Sequence, residues 1–581
     1  MGKLHSSLLL RHIVNGGRNF SNFHSSFSCY FNTISPHISA RGNQKKYDWF
    51  YNVDDALTLF NKMVAKHRKP SVVEFNKLLG AIVRMKHYAI AVSMYSQMEL
   101  LGVSYDIYSF NILINCFCQL GYIDFGSSVL GKMMKVGVQP DVVTLSTLIN
   151  GLCKRSKISE ALSLFDEMME KGYRPNLIVY TTVLNGLCKT GNTDRALRFL
   201  RMMEERGFKP NIVAYSTVID CFCKKGLLSE ALDLFSKMKV KGIRPNIVIY
   251  NCLIHGVCNL GQQKEATRLL NEMAGNNISL DIVSYNILID AHCKKRMISE
   301  AVDTVDAMRK QGIEPNVVTY SILVDAHCKE GMVSKAEDIV DTMRKKGIEP
   351  DVVTYNALIN GHCLQNKMDE ARRVFQLMSK KGCAPAIRSY NIMINGYCKA
   401  KRVDEAMELF HEISQKGPTP DIVTYSILMQ GMCELGRLSS ALKLFRAMLK
   451  SRLELDIVSY TILIDGFCTA GRIEVAKELF LQLSVNGLKP DVYTYGIMIN
   501  GFCKKGLPDE AYQWFRSMGN NDCLPDSCCY NVMIQGFFRN SYTSEATQLL
   551  VEMVSMGFSA DLCTATLFVD LILQSNKSIL I

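Results

Sequence analysis

The chain contains 581 residues, of which 48% are hydrophobic, and its formal net charge at pH 7 is +12. No apolar run approaches the roughly 18 to 20 residues that a transmembrane helix needs, so the sequence argues against a membrane span. The positive charge permits an anionic partner, although six of the basic residues lie within residues 1–46, which contain no Asp or Glu.

These first 46 residues are rich in Ser and Arg and include the short amphipathic stretch LLLRHIV. This is the profile of an organelle transit peptide, and a basic amphipathic start favours a mitochondrion over a chloroplast. The alternative is a disordered basic tail that itself contacts RNA.

A repeat of 35 residues occupies residues 72–561 without any insertion. Its fourteen units begin at Val72, Ile107, Val142, Leu177, Ile212, Ile247, Ile282, Val317, Val352, Ile387, Ile422, Ile457, Val492 and Ser527. Residues 47–71 match only the second half of a unit, as expected of a degenerate terminal repeat, and residues 562–581 predict one capping helix. A fixed period of this size predicts an all-α solenoid rather than several separate domains.

Within each unit, apolar residues recur at helical spacing in two segments, as in TLSTLINGLCKR and SEALSLFDEMMEKG. We predict two helices, the second of which begins at an N-capping Ser, Asp or Thr and ends at Gly. The Gly position is held by Gly172, Gly207, Gly242, Gly312, Gly347 and Gly382.

Three further positions predict a core. The second helix carries a small residue, usually Ala, with Met seven residues later, and the first helix carries Cys at one spacing from Cys118 to Cys503. We interpret these residues as packing, with Cys as a small apolar residue in a reducing compartment. No metal or cofactor site is predicted, and the sequence has no H-x-E with C-x-x-C signature of a deaminase.

The unit form VVTYNxLIxGxCKxGxxxEAxxLFxxMxxKGIxPD, which residues 317–351 and 352–386 follow nearly throughout, resembles the pentatricopeptide repeat family. Units of 35 residues are typical of its P-type class, and the recurrent GxCK and GFCK segments resemble the plant restorer-of-fertility-like group. The resemblance implies a right-handed superhelix of helix pairs that binds single-stranded RNA and reads one base per unit with two or three side chains.

Position five of a unit shares a helix face with position two. Thirteen units carry Asn, Ser or Thr there, which are mediocre helix formers. A cap or turn at the helix start is the alternative explanation, but it would not account for the split between Asn and Ser or Thr. The predicted base-reading residues at position five are Asn76, Asn111, Ser146, Thr181, Ser216, Asn251, Asn286, Ser321, Asn356, Asn391, Ser426, Thr461 and Asn531.

The last residue of a unit is Asp or Asn in thirteen units. Ionised Asp only accepts hydrogen bonds, which suits the ring N–H of U or G, whereas Asn also donates, which suits the bare ring nitrogen of A or C. The family pattern agrees and adds that Asn at position five goes with pyrimidines and Ser or Thr with purines. A helix N-cap is the alternative role, and both roles can coexist. The predicted readers are Asp106, Asp141, Asn176, Asn211, Asn246, Asp281, Asn316, Asp351, Asp421, Asp456, Asp491, Asp526 and Asp561.

Position two carries flat or branched side chains that could wedge between successive bases, or else pack within the first helical turn. They are Val73, Tyr108, Val143, Ile178, Val213, Val248, Val283, Val318, Val353, Arg388, Val423, Val458 and Tyr493, while Cys528 suggests a weak last unit. Basic residues near the end of the first helix could hold phosphates or simply be solvated.

Carried over unit by unit with the N-terminus toward the RNA 5′ side, the pairs predict the target 5′-UUAAAU[C/U]G?UGG?U-3′. The question marks fall on the units with Ala386 and Gly496, which lack one reader each. We expect a non-enzymatic RNA-binding protein of an organelle, mitochondrial or alternatively chloroplast, that acts in RNA processing, stabilisation or translation control. A helical scaffold for protein partners without RNA readout is the alternative function.

Overall fold

The structure is a computed structural model that describes residues 52–66, 70–416, 418–451, 453, 456–519 and 523–579. The predicted transit peptide, residues 1–46, lies outside the described residues. The chain divides into two compact bodies, Met1–Leu280 and Asp281–Ile581. The described parts of both are helical and contain no strand, and none of the helices described has the length and apolar character that crossing a bilayer requires.

The described part of the first body forms helices α1 to α13. They are α1 (Val53–Val64), α2 (Val72–Arg84), α3 (Tyr88–Leu100), α4 (Ile107–Leu120), α5 (Ile123–Lys135), α6 (Val142–Lys154), α7 (Ile158–Glu170), α8 (Leu177–Lys189), α9 (Thr193–Glu205), α10 (Ile212–Lys224), α11 (Leu228–Val240), α12 (Ile247–Asn259) and α13 (Gln263–Gly275). α1 corresponds to the second half of the degenerate terminal repeat.

The described part of the second body forms α14 to α30. They are α14 (Ile282–Lys294), α15 (Ile298–Lys310), α16 (Val317–Lys329), α17 (Val333–Lys345), α18 (Val352–Leu364), α19 (Met368–Lys380), α20 (Ile387–Lys399), α21 (Val403–Lys416), α22 (Ile422–Glu434), α23 (Leu438–Lys450), α24 (Ile457–Thr469), α25 (Ile473–Val485), α26 (Val492–Lys504), α27 (Pro508–Ser517), α28 (Ser527–Arg539), α29 (Thr543–Ser555) and α30 (Leu562–Ile579). Within each body, first helices pack on their own second helices and on the first helix of the next unit. The prediction of an all-α repeat solenoid is confirmed.

The first helix of every unit begins at the first residue of the sequence repeat, and in most units the side chain of the preceding residue caps it. In α6, the Asp141 carboxylate accepts a 2.8 Å hydrogen bond from the Thr144 backbone N–H, and the Thr144 hydroxyl accepts one from the Asp141 N–H. This reciprocal capping box satisfies two backbone donors that a helix start leaves unpaired.

The second helices end as predicted but begin differently. Gly172 follows α7 with a φ of 79°, and the next N–H returns to the Met168 carbonyl at 3.1 Å, which closes the helix. The predicted Ser, Asp or Thr N-caps are wrong: α7 begins at Ile158 after Lys157, which makes no side-chain cap, and Ser159 lies inside the first turn. The connecting turn is only three residues long, so the helix is already under way when the Ser is reached.

The predicted core positions are confirmed. The second-helix Ala and the Met seven residues later are buried, as Ala161 and Met168 are in α7. Aromatic contacts also join neighbouring units. Phe445 of α23 packs edge-to-face on the buried Tyr460 of α24, with ring centroids 5.0 Å apart. The same arrangement joins Phe165 to Tyr180, Phe235 to Tyr250, Phe375 to Tyr390, Phe410 to Tyr425, Phe480 to Tyr495 and Phe515 to Tyr530.

The recurrent Gly-x-Cys of the first helices marks their closest approach. A Cβ added to Gly466 in α24 would lie 2.6 Å from the Cys433 sulfur in α22. Burial raises the pKa of the Cys433 thiol to about 12, so this side chain packs as a neutral group. Equivalent contacts occur at Gly151, Gly186, Gly256, Gly361, Gly396, Gly431, Gly501 and Gly536. The first helices therefore stack closely enough to place successive units' polar residues side by side.

Candidate nucleic-acid interface

Position two forms a row of exposed side chains at the start of the first helices. The apolar ones expose between 48% and 71% of their surface, and Arg388 and Cys528 are also exposed. Packing within the first turn therefore does not explain these residues. A regularly spaced apolar row left in solvent is a surface feature that usually indicates a binding site.

The last residue of each unit is the N-cap of the next first helix. Side-chain caps are made by Asp106, Asp141, Asn176, Asn211, Asn246, Asp281, Asn316, Asp351, Asp421, Asp456, Asp491 and Asp526. Asp561 accepts a 2.7 Å hydrogen bond from the Thr564 N–H in the same way. The capping role is thus real, and it coexists with surface access because these residues are half-exposed or exposed.

The helix cap also determines which side-chain atom of the last residue remains available for another hydrogen bond. Asp106 and Asn176 both use Oδ1 to accept from the N–H three residues ahead, at 2.8 and 3.1 Å. An Asn side chain can cap the helix only through its oxygen, because its nitrogen is a donor. The second terminal atom is then an acceptor, Oδ2, in an Asp unit and a donor, Nδ2, in an Asn unit.

Asn at position five joins the last residue of its own unit. Nδ2 of Asn76 donates to Oδ1 of Asp106 at 2.8 Å, and Asn391 donates to Asp421 at 3.1 Å. Asn111 donates to Asp141 at 3.3 Å. The two predicted readers of these units, thirty residues apart in the chain, are therefore in direct contact.

Several Ser and Thr side chains at position five donate instead to a carbonyl of their own helix. The Thr181 hydroxyl donates to the Leu177 carbonyl and that of Ser216 to the Val213 carbonyl, both at 3.0 Å. Neither side chain caps the helix start. In these units, Asn at position five therefore has a different hydrogen-bond partner from Ser or Thr, whereas Asn531 donates to the Ser527 carbonyl of its own helix.

Position five is less open than position two. Asn251, Asn286, Ser321, Asn356, Asn391, Thr461 and Asn531 are buried, and the other position-five residues are half-buried. Positions two and five therefore differ in exposure, although they lie only three residues apart on one helix. Three residues turn a helix by about 300°, so position five rotates from the open surface toward the neighbouring first helix.

Hydrogen bonds keep several last-position carboxylates ionised. Burial opposes ionisation of Asp106, but the Ser109 backbone N–H, the Ser109 hydroxyl and the Asn76 amide outweigh it and hold the pKa of Asp106 below its ordinary value. The pKa values of Asp141 and Asp421 are lowered in the same way, although burial opposes it, by Thr144 with Asn111 and by Thr424 with Asn391. These side chains are pure acceptors at neutral pH.

Sequence reasoning missed a third polar residue of the site, the Ser or Thr at position three. The Ser109 hydroxyl lies 2.8 Å from Oδ1 of Asn76 and 2.9 Å from Oδ1 of Asp106, so it touches both readers of the preceding unit. The repeated Thr of the VVTYN segment was the available signal, since a Ser or Thr three residues after Asp or Asn indicates a capping box.

The two units that lack a reader also lack this network. Ala386 starts α20 without a side-chain cap. The Oδ1 of Asn356 and the Oγ of Ser389 are both buried without a hydrogen-bond partner. Gly496 offers no side chain at position five, and the following position three is Cys529.

The basic residues near the ends of the first helices are exposed. They are Arg84, Lys154, Lys189, Lys224, Lys294, Lys329, Lys399, Lys504 and Arg539. Lys224 and Lys329 pair with Asp220 and Asp325, one turn earlier, at 2.6 and 2.7 Å. Such exposed pairs are weak and leave the ammonium groups available to an anion.

Fourteen successive segments of the chain match the model of the PPR repeat family. They are residues 70–119, 106–154, 140–189, 175–224, 210–248, 245–294, 280–329, 322–364, 350–395, 385–434, 422–469, 455–504, 495–539 and 525–571. Over 56 residues the chain is 45% identical to pentatricopeptide repeat-containing protein At1g62680, mitochondrial, of Arabidopsis thaliana, a stretch that spans 10% of each chain. It is 46% identical over 56 residues to At1g63080, mitochondrial, of the same plant, covering 10% of this chain and 9% of that protein.

Among solved structures, the chain is similar to the pentatricopeptide repeat protein PPR10 from maize, with 24% identity, a TM-score of 0.45 and coverage of 89% of this chain and 84% of that one. PPR10 in complex with an 18-nt psaJ RNA element matches with 22% identity and a TM-score of 0.49 over the same shares. Because the family model matches far more than half of the sequence, this protein belongs to the PPR repeat family.

Proposed function

We propose that this protein binds single-stranded RNA in a sequence-specific manner and reads one base per unit. The observation that carries the proposal is the recurrence, every 35 residues, of an exposed side chain at position two beside a capping Asp or Asn at the last position. Exposed apolar groups can stack on any base, because every base has a π-face. The Asp or Asn beside them supplies the part that differs between units.

The hydrogen-bond chemistry of the last residue supports base selection. With Oδ1 committed to the helix cap, an Asp unit offers an acceptor to a ring N–H of U or G, and an Asn unit offers a donor to a ring nitrogen of A or C. Position five adds the choice between pyrimidine, with Asn, and purine, with Ser or Thr. The proposed target is 5′-UUAAAU[C/U]G?UGG?U-3′.

The exposed Lys and Arg at the ends of the first helices would hold phosphates. Such contacts raise affinity without reading sequence, and they make binding depend on salt concentration. A protein-binding scaffold would also use an exposed apolar row, but it would have no need for some units to carry Asp and others Asn at the same capping position.

The proposal is tested by fluorescence anisotropy with the full chain and the oligomer 5′-UUAAAUCGUUGGUU-3′, in which U fills the undetermined bases. The control is a scrambled oligomer of the same composition, at one salt concentration. We expect the target to bind at least about tenfold more tightly, a difference of roughly 1.4 kcal/mol. Equal affinity for both would exclude base reading, and binding of neither would favour the scaffold.

We further propose that the protein acts in a mitochondrion by occupying one transcript, as a restorer-of-fertility-like protein would, and so alters its processing, stability or translation. The basic, acid-free residues 1–46 and the mitochondrial names of the Arabidopsis relatives support this location. A fluorescent fusion of residues 1–46 tests the location, with plastid import as the contrary result. RNA co-precipitation and sequencing from the organelle would identify the transcript.

A further inference from the structure

Position three, the third residue of each unit, separates the units into two groups. Following a unit whose last residue is Asp, it is a hydroxyl in almost every case: Ser109, Thr144, Ser284, Thr354, Thr424, Ser459, Thr494 and Thr564, with Cys529 the departure. Following the three units that pair Ser or Thr with Asn, it is Val179, Ala214 and Ile249. All of these residues are buried, so position three cannot itself touch RNA.

In four units with Asn at position five, those of Asn76, Asn111, Asn286 and Asn391, the position-three hydroxyl lies against the amide oxygen. In the last unit, Thr564 instead accepts a hydrogen bond from Gln535. The Thr424 hydroxyl lies 2.7 Å from Oδ1 of Asn391 and 2.8 Å from Oδ1 of Asp421, while Nδ2 of Asn391 faces the carboxylate. Turning the amide over would place its oxygen against the carboxylate and its NH₂ against the hydroxyl. The hydroxyl and the carboxylate together therefore select one orientation of the reading amide.

In units that pair Ser or Thr with Asp, the hydroxyl links the two readers. Thr354 Oγ1 lies 2.7 Å from Oγ of Ser321 and donates to Oδ1 of Asp351 at 3.0 Å. Thr494 Oγ1 likewise lies 3.0 Å from Oγ1 of Thr461. One buried hydroxyl thus contacts both the last residue and position five.

Where position three is apolar, this link is missing. Oδ1 of Asn211 accepts only the cap bond from the Ala214 N–H, at 3.0 Å, and the position-five Thr181 bonds to its own helix. The two readers then act without a shared partner. This arrangement occurs in the three units whose proposed base is A.

Helix capping alone does not explain this division. Helices α8, α10 and α12 begin at the first residue of their units although Val179, Ala214 and Ile249 provide no hydroxyl. Conversely, Ser389 keeps its buried hydroxyl without a partner where Ala386 replaces the acidic residue. A buried hydroxyl is normally hydrogen-bonded, so its natural partners here are the two readers.

We propose that position three is a third specificity-determining position: a positioning residue that couples the two readers in U- and G-selecting units and uncouples them in A-selecting units. The inference rests on the proposed function, since it assigns a role within the same base-reading site. It implies that changing a unit from A to G requires three matching residues, as in the set Ser321, Asp351 and Thr354.

The first test recodes the A-selecting units. One variant carries Asn176→Asp, Asn211→Asp and Asn246→Asp, and a second adds Val179→Thr, Ala214→Thr and Ile249→Thr. Affinities are measured for the target oligomer and for the same oligomer with GGG in place of AAA. We expect the GGG-to-AAA preference of the six-residue variant to exceed that of the three-residue variant by about tenfold. Equal preferences would overturn the inference.

The second test removes one hydroxyl. Thr354→Val should reduce the preference for G over A at the eighth base by about fivefold, whereas Thr354→Ser should retain it. Thr217→Val is the matched control, because the Thr217 hydroxyl bonds only to the Val213 carbonyl of its own helix, at 2.8 Å. An unchanged preference in Thr354→Val, with thermal unfolding like the wild type, would contradict the coupling.

The affinities of the wild-type protein distinguish failure of the proposed function from failure of the inference about position three. If the wild type binds the target and a scrambled oligomer equally, the proposed function fails. If the wild type discriminates but both tests show no effect of position three, only the present inference fails. A general loss of structure in Thr354→Val would lower affinity for every oligomer alike and leave the recoding test to decide.

Discussion

Asn391 donates a 3.1 Å hydrogen bond to the carboxylate of Asp421, which caps the next first helix. One contact thereby joins a side chain in the middle of one helix to the start of its neighbour. The equivalent Asn356 faces Ala386, and its side-chain oxygen is buried without a partner. The difference shows that the last residue of a unit serves the helix start and position five at the same time.

Ala386→Asp should repair the deficient unit. An Asp there would cap α20 and restore the acceptor near Asn356, so we expect the free energy of unfolding to rise by about 1 kcal/mol. The ninth base should also become U-selective, measured by affinities for four oligomers that differ only at that base. Ala386→Asn is the control: it should stabilise to a similar degree but favour C. Identical base preferences in both variants would contradict the reading role.

Gly466→Ala should destabilise the second body. Its Cβ would lie 2.6 Å from the Cys433 sulfur and 2.7 Å from the Cys433 Cβ, so the two first helices must move apart. Overpacking of this kind costs about 1–3 kcal/mol. Gly80→Ala is the control, because its Cβ meets only the end of Arg84 at 3.9 Å and the change should gain up to about 1 kcal/mol of helix propensity. Thermal unfolding by circular dichroism compares the two, and equal stability would argue against the close contact.

Val353→Ser should weaken binding of every oligomer to a similar extent. Val353 is exposed at position two, and loss of the apolar surface that it would bury against a base costs about 1–2 kcal/mol. Val485→Ser is the matched control, since Val485 is an exposed valine at the end of the second helix α25. Anisotropy titrations of both variants with target and scrambled oligomers provide the measurement. A similar loss in the two variants would exclude a specific role for the position-two row.

Base selection by Asp106, Asp141 and Asp421 should not change between about pH 8 and pH 5.5. Their pKa values are lowered in the folded protein, so the carboxylates stay ionised across this range. The stability that they contribute is present above the unfolded-state value near 3.9 and is lost only as pH falls through the lower folded values. The measurement is the affinity ratio of the target to an oligomer with C at bases one, two and ten. A ratio that declined with a midpoint near pH 6 would contradict the assignment of these carboxylates.

Local patterns in the sequence were sufficient for most of the fold. The spacing of Ala161 and Met168 predicts a buried helical face, and the structure buries both. The last residue of each unit is open to two interpretations from the sequence, and capping is the one that the structure shows directly. The second-helix N-caps were wrong because a three-residue turn brings the chain into the helix before Ser159 is reached.

The 35-residue period, the helix pairs, the buried series and the Asp or Asn at each unit's end can all be read from the order and spacing of residues along the chain. Helix packing was needed to reveal that position two is exposed while position five turns inward, and that Thr424 touches both Asn391 and Asp421. The contact of Thr424 with Asn391 joins residues 33 positions apart, and it exists only after neighbouring first helices have packed at the distance that Gly and Cys allow.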